Sequence, residues 1–351
     1  MNNKYMISFI AVFVLFFLAY LGTEALGLDV LFGVLIPYAA LAVFIVGFVY
    51  KVMGWARSAV PFRIPTTCGQ QENQLGFRQN TLDCPSTAGA VVLRMFLEIV
   101  TFRSLFRNTR MNFREGHKVS YNLEIFLWLF ALIFHYAFLT VIVRHLRFFL
   151  EPVPKALQLL ETVDSFMQIG LPVLYLSGAA LLVAAVFLLL RRIFIGNVRY
   201  ISLASDFFPL FLIGGIAFTG ILMRYVTKVD IVSIKQLTMG LVTLHPTVPE
   251  GIGGLFYGHL FFVSILLAYF PFSKLMHLGG IFLSPTRNLP TDTRATRHVN
   301  PWNYPVETHT YEEYEDEFRE KMVEAGLPVE IMPEEQPAEE AEADSPSEEK
   351  E

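Results

Sequence analysis

Residues 125–149, IFLWLFALIFHYAFLTVIVRHLRFF, constrain this chain more than any other stretch. From Ile125 to Val143 there is no Asp, Glu, Lys or Arg, a run of 19 residues. At about 1.5 Å per residue, a helix of that length crosses a hydrocarbon core of about 30 Å. His135 lies inside the run and His145 just beyond it. An imidazole in lipid is costly without a partner, so each is a candidate functional group. A second stretch, GIGGLFYGHLFFVSILLAYFPFSKLMH at 251–277, carries His259 and His277.

Four further uncharged runs accompany these two: Tyr5–Thr23, Val30–Tyr50, Ser165–Leu190 and Phe207–Met223. The 351 residues are 54% hydrophobic and only 17% charged, against about 25% charged for a soluble domain. The chain is expected to be an all-α polytopic membrane bundle of six transmembrane helices with a soluble C-terminal tail. Tyr5–Thr23 lacks a short apolar core followed by a small-residue cleavage site, so it reads as a retained anchor. The basic residues flank the spans, which points to a lipid bilayer and not to nucleic acid as the partner. The 51–122 loop holds ten Lys/Arg against four acids. With the Arg191–Arg199 turn it defines one basic face, expected to be cytoplasmic. Both termini then lie inside, at the cell's inner (cytoplasmic) membrane.

Within that loop, 88–106 reads as one amphipathic helix on the membrane surface or against a partner, with Arg94 and Glu98 at i,i+4 spacing. The expected domains are an anchor at 1–29, a membrane domain at 30–277, a docking tail at 278–332 and a disordered acidic end at 333–351. In the tail, Thr310 and Glu313 form a capping box. Tyr311, Tyr314, Phe318 and Met322 then make an apolar stripe suited to a cytoplasmic subunit. Cys68 and Cys84 fit no metal or redox spacing. They read as ordinary loop thiols, with a redox or partner-contact role for Cys68 as the other reading.

Two histidines on each of two spans suit two b-type haems, each gripped by one imidazole from each helix. Antiparallel packing sets His145 beside His259 near the outer face and His135 beside His277 near the inner face. The intervals differ, about 15 Å for ten residues against about 27 Å for eighteen. A kink or tilt at Pro271 would shorten the second. Bis-histidine ligation leaves no open iron position and implies electron transfer. Arg144 and Arg147 either pair with haem propionates or sit at the interface as snorkelling charges. Arg191 and Arg192 serve an inner haem or topology. Lys155 is the candidate to hydrogen-bond a quinone carbonyl, or is a solvated loop lysine. The rival class is a transporter, or an anchor or scaffold without haem, whose histidines line a polar path.

At these residues the chain resembles the cytochrome b subunits of the nitrate reductase gamma (NarI) family, whose ligand pairs stand ten and eighteen residues apart. His135/His145 and His259/His277 reproduce both intervals. The resemblance implies a NarI-like five-helix haem core at 30–277, with the first helix extra. VPFRIPTTCGQQ (60–71), FRSLFRN (102–108), RHLRFF (144–149) and the SPTRN, RHVNPWN and HTYEEYEDEFR strings (284–319) are similar to the membrane subunits of the Dsr complex of dissimilatory sulfur metabolism. Heterodisulfide reductase membrane subunits are more distant. The resemblance implies menaquinol oxidation or menaquinone reduction, with the chain as one subunit of an oxidoreductase and not a complete enzyme. Electrons would pass to an iron–sulfur subunit of heterodisulfide-reductase type, DsrK, which acts on the small protein DsrC. DsrJ, DsrO and DsrP are the further implied partners.

Overall fold

The computed structural model describes residues 3–58, 80–114, 116, 118–167, 172–292 and 308–331. The chain divides into a unit ending at Trp302 and one beginning at Asn303. Among the described residues of the first unit, six helical segments are long and apolar enough to cross a membrane. They contain α1 (Lys4–Glu24), α2 (Ile36–Arg57), α5 (Ile125–His145), α7 (Leu176–Phe194), α9 (Ala204–Leu222) and α11 (Gly254–Tyr269). Large apolar side chains such as Ile7, Val46, Val183 and Phe218 point outward, as a lipid-solvated bundle requires.

Helix α1 packs on α9 and α11, α11 on α2 and α9, and α5 on α7. Close approach comes from small residues: Ala137, Ala184, Ala185 and Ala217 are buried together with Phe134, Leu181 and Ile213. The extra N-terminal helix is tied at both ends. Lys4 donates to the Ser202 carbonyl at 2.9 Å, and Glu24 accepts from Gly254 N at 2.6 Å. Glu24 thereby takes one of the first N–H groups of α11, which have no partner within their own helix.

Several boundaries differ from the sequence expectation, each for a local reason. The fourth span starts at Leu176, not Ser165, because α6 (Lys155–Asp164) ends where Asp164 caps the new helix by accepting from Ser177. The fifth span continues through a π-helical turn, Met223–Thr227, so Arg224 belongs to it and not to a loop. The segment 224–250 holds a further helix, α10 (Ile231–Val242), capped by Asp230. Between α11 and α12 (His277–Leu283) the chain breaks through two 3-10 turns at Phe270–Phe272 and Lys274–Met276. Pro271 is buried at the break. Gly47 of α2 makes the approach possible, since a Cβ there would stand 2.9 Å from the proline ring.

The stretch 88–106 is two helices, α3 (Ala88–Thr101) and α4 (Arg103–Phe106), and the charged pair faces inward. Arg94 and Glu98 are buried, while Val92, Leu93 and Phe96 are exposed. The reason is local chemistry. Glu98 accepts from Ser104 N at 3.1 Å, bonds the Ser104 hydroxyl and pairs with Arg287 at 3.0 Å. Burial first, and then the Arg287 guanidinium, draw the Arg94 pKa below its ordinary value against the pull of Glu98. Burial pushes the Asp83 carboxyl up, but hydrogen bonds from Arg103 and Arg107 outweigh it and bring it to about 2. A hairpin follows, β1 (Thr109–Arg114) antiparallel to β2 (Lys118–Leu123), turning at Gly116 with φ +75°. The sequence reading did not anticipate it.

Two further short helices are described in this unit, α8 (Gly196–Ile201) between α7 and α9 and α13 (Pro285–Asn288) after α12. In the second unit, α14 (Tyr311–Glu324) carries the Thr310/Glu313 capping box. Glu315 turns inward and accepts from Glu330 N at 2.7 Å and Ile331 N at 2.9 Å, folding the segment after the helix onto it. Tyr311 and Tyr314 remain exposed.

Candidate functional site

The helix break at Pro271 brings His277 back to α5. The His135 and His277 rings stand 5.8 Å apart between centroids, with planes at 90°. His145 ends α5, and His259 lies on α11 against Thr219 of α9. The eighteen-residue interval is therefore not a continuous helix, and the length of about 27 Å expected of a straight one does not apply to it.

Each ring is oriented through Nδ1. His135 bonds the Ala131 carbonyl at 2.8 Å, His145 the Val141 carbonyl at 2.6 Å and His277 the Lys274 carbonyl at 3.0 Å. A carbonyl only accepts, so these Nδ1 atoms carry the hydrogen and each Nε2 presents a lone pair. His259 Nδ1 meets the Thr219 hydroxyl at 2.8 Å. That hydroxyl gives its own hydrogen back to the Gly215 carbonyl at 2.8 Å, so it accepts from His259. Gly220 lets this ring approach α9, because a Cβ there would stand 3.4 Å from its Cε1. An outward Nδ1–H bond with Nε2 free is the usual arrangement of a metal-ligating histidine.

Phe102 covers the His135 side of the site. It sits at φ +51°, a strained conformation for an aromatic residue, and meets His135 edge-on at 4.9 Å. The Trp128 indole bonds the Thr101 carbonyl at 2.7 Å and the Tyr136 hydroxyl bonds the Val100 carbonyl at 2.9 Å, fastening α3 to α5.

Among the described residues, no three His, Cys, Asp or Glu side chains gather as a metal site. Two imidazoles alone complete the shell of a metal whose other ligands come from a macrocycle. Metal–imidazole bonds of about 2 Å with ring radii of about 1 Å place opposed centroids about 6 Å apart. The His135/His277 separation of 5.8 Å fits that requirement.

The remaining candidates are placed as follows. Arg144 pairs with buried Asp164 at 3.5 Å and lies 3.6 Å over the Tyr175 ring. Arg147 is held by both oxygens of Glu161, at 2.9 and 3.0 Å. Arg191 pairs with Glu124, and Arg192 with Ser202 and Asp206. Lys155 is exposed at the start of α6 and makes no hydrogen bond or ion pair among the described residues. Cys84 is fully buried, whereas Cys68 lies outside the described residues. Thr219 at His259, Tyr175 under Arg144, and Arg224 over the same ring carry no signal in the sequence, whereas Asp164 stands with Lys155 and Glu161 on the outer side where the sequence places a quinol site.

Residues 95–294, more than half of the chain, match the nitrate reductase gamma subunit family model. The chain belongs to the nitrate reductase gamma subunit family. All four histidines fall inside the match, while α1 and α2 precede it. The chain is 46% identical over 284 residues to the Hdr-like menaquinol oxidoreductase cytochrome b-like subunit of Archaeoglobus fulgidus, covering 79% of this chain and 84% of the relative. The protein of the same description from Archaeoglobus profundus is 43% identical over 276 residues, 76% and 81% of the two chains.

Proposed function

We propose that this family member is a dihaem cytochrome b subunit of DsrM type, exchanging electrons between menaquinol and a heterodisulfide-reductase-like iron–sulfur partner, DsrK. The observation that supports the reading is the approach of the His135 and His277 rings, 5.8 Å between centroids, with the Nδ1 of all four histidines hydrogen-bonded. The two relatives' description as cytochrome b-like subunits of an Hdr-like menaquinol oxidoreductase supports it.

His135 with His277, and His145 with His259, would each hold one haem b. Bound there, the haems supply one-electron chemistry to a two-electron quinol. The protein's own part is to fix the rings, keep the two levels about 15 Å apart along α5, and exclude water with Phe102, Phe134 and Phe148. The 30–277 segment is the membrane domain in this reading, and 1–29 its anchor. The Tyr311/Tyr314 face of α14 docks on the iron–sulfur subunit, with both termini cytoplasmic; DsrJ, DsrO and DsrP complete the complex. Lys155 remains the candidate quinone donor, and Arg147 fastens α6 through Glu161.

The test is a spectrum of the detergent-purified chain with pyridine haemochrome quantitation. Two haem b per chain, reducible by a menaquinol analogue, are expected. Protein without haem overturns the reading and leaves a membrane anchor or transporter. A second prediction concerns Thr219. Thr219→Val keeps the shape of the side chain and removes the hydroxyl that His259 Nδ1 meets at 2.8 Å. Haem affinity at that level should fall about 10- to 100-fold, with the other level unchanged. The rate of haem transfer to an acceptor apoprotein measures this, and equal rates in both proteins would exclude a role for the hydroxyl.

A further inference from the structure

The structure assigns Arg224 and Arg144, stacked on Tyr175, as the seat of the propionate carboxylates of the haem at His145/His259, an assignment that rests on the dihaem reading. Arg144 directly precedes His145. Arg224 follows Thr219, the partner of His259, on the same helix by five residues. Their guanidinium carbons lie 3.6 and 4.0 Å from the centroid of one ring, Tyr175. The π-helical turn Met223–Thr227 aims Arg224 there, and such insertions often mark functional positions. The Tyr225 hydroxyl fixes the ring's backbone by accepting from Tyr175 N at 2.9 Å.

The charge balance points to a missing anion. Asp164 is the one carboxylate paired with this couple among the described residues. It already accepts from Ser177 N at 2.7 Å and Ser177 Oγ at 2.6 Å, and reaches Arg144 only at 3.5 Å. Arg144 Nε is buried and makes no hydrogen bond. Arg224 donates only to the Val173 carbonyl, at 3.1 and 3.4 Å, and pairs with no carboxylate among the described residues. Two guanidinium groups against one carboxylate leave a positive charge uncompensated inside the bundle, which is costly. Guanidinium forks match carboxylates in shape as well as charge. Arg147 is the weaker choice, because its charge is already matched by Glu161, whose two oxygens both accept from its Nη1.

The experiment compares Arg224→Gln and Arg224→Lys with wild type by spectroscopic redox titration, with pyridine haemochrome as the count. Losing the cation stabilises the ferric state. Arg224→Gln should lower the midpoint of the His145/His259 haem by a factor of about ten in the ferric/ferrous equilibrium, about 59 mV for one electron. Arg224→Lys should recover more than half of that shift. Loss of this haem in the glutamine variant with retention in the lysine variant supports the same seat. An unshifted midpoint in Arg224→Gln, or equal shifts in both variants, overturns it. Loss of co-purifying anionic lipid at unchanged midpoint also overturns it, and gives the pair to a phosphate headgroup. A wild-type chain with fewer than two haems sinks the dihaem reading itself, whereas two haems with an unshifted Arg224→Gln sinks the propionate seat alone.

Discussion

His145→Ala is expected to halve the haem content, from two to one per chain, and to lower the rate of reduction by a menaquinol analogue by more than about 100-fold. That factor is the upper end of what loss of an outer-shell contact alone costs a metal site, and here the ligand itself is removed. The substitution is mild for the fold. His145 is the last residue of α5, its ring is exposed, and its Nδ1 bond goes to Val141 one turn back in the same helix. Alanine is a better helix former, so the bundle should assemble unchanged. The remaining haem, at His135/His277, should still be reduced by dithionite. Added imidazole should restore part of the quinol reaction if the defect is the missing ligand. A variant that keeps the His145/His259 haem and loses the other would overturn the cross-pairing of the two helices.

What the sequence displayed, and what it hid, follows the range of the forces involved. Uncharged runs reveal spans because lipid selects each helix separately, and all six appear as expected. Their ends depend on partners elsewhere. Asp164 caps α7 across thirteen residues, and Glu24 caps α11 across 230. Neither contact leaves a local pattern. The approach of His135 to His277 was legible in the sequence as an expectation, because two spans that run in opposite directions reverse the order of their residues. The proline was visible at 271, but the two 3-10 turns that bring His277 to His135 were not. Arg94 and Glu98 misled, since a charged pair on a helix ordinarily faces water. Here Arg287, nearly two hundred residues later, draws Glu98 inward. Arg224 looked like the first residue of a loop because it ends an apolar run. Only the approach of Tyr175 from the start of α7 shows that it faces the bundle. Thr219 stands in a glycine-rich stretch with nothing in the sequence to set it beside His259.

His277→Ala should give the complementary defect: one haem per chain, still reduced by the quinol analogue, with onward transfer to the iron–sulfur partner abolished. The ring sits at the start of α12 with its Nδ1 on the Lys274 carbonyl, and it is exposed, so its loss leaves no packing cavity. His135 would keep its bond to Ala131 and its edge contact with Phe102, but would face no second imidazole. The two alanine variants therefore divide a single path at two points. Stopped-flow mixing of the assembled complex with quinol reads both. In His145→Ala the haem should stay oxidised while the iron–sulfur partner also stays oxidised. In His277→Ala the haem should reduce and hold its electron. If the iron–sulfur partner is reduced at the wild-type rate in His277→Ala, electrons do not need the His135/His277 level. The pairing would then be a structural contact between α5 and α12 and no part of the path.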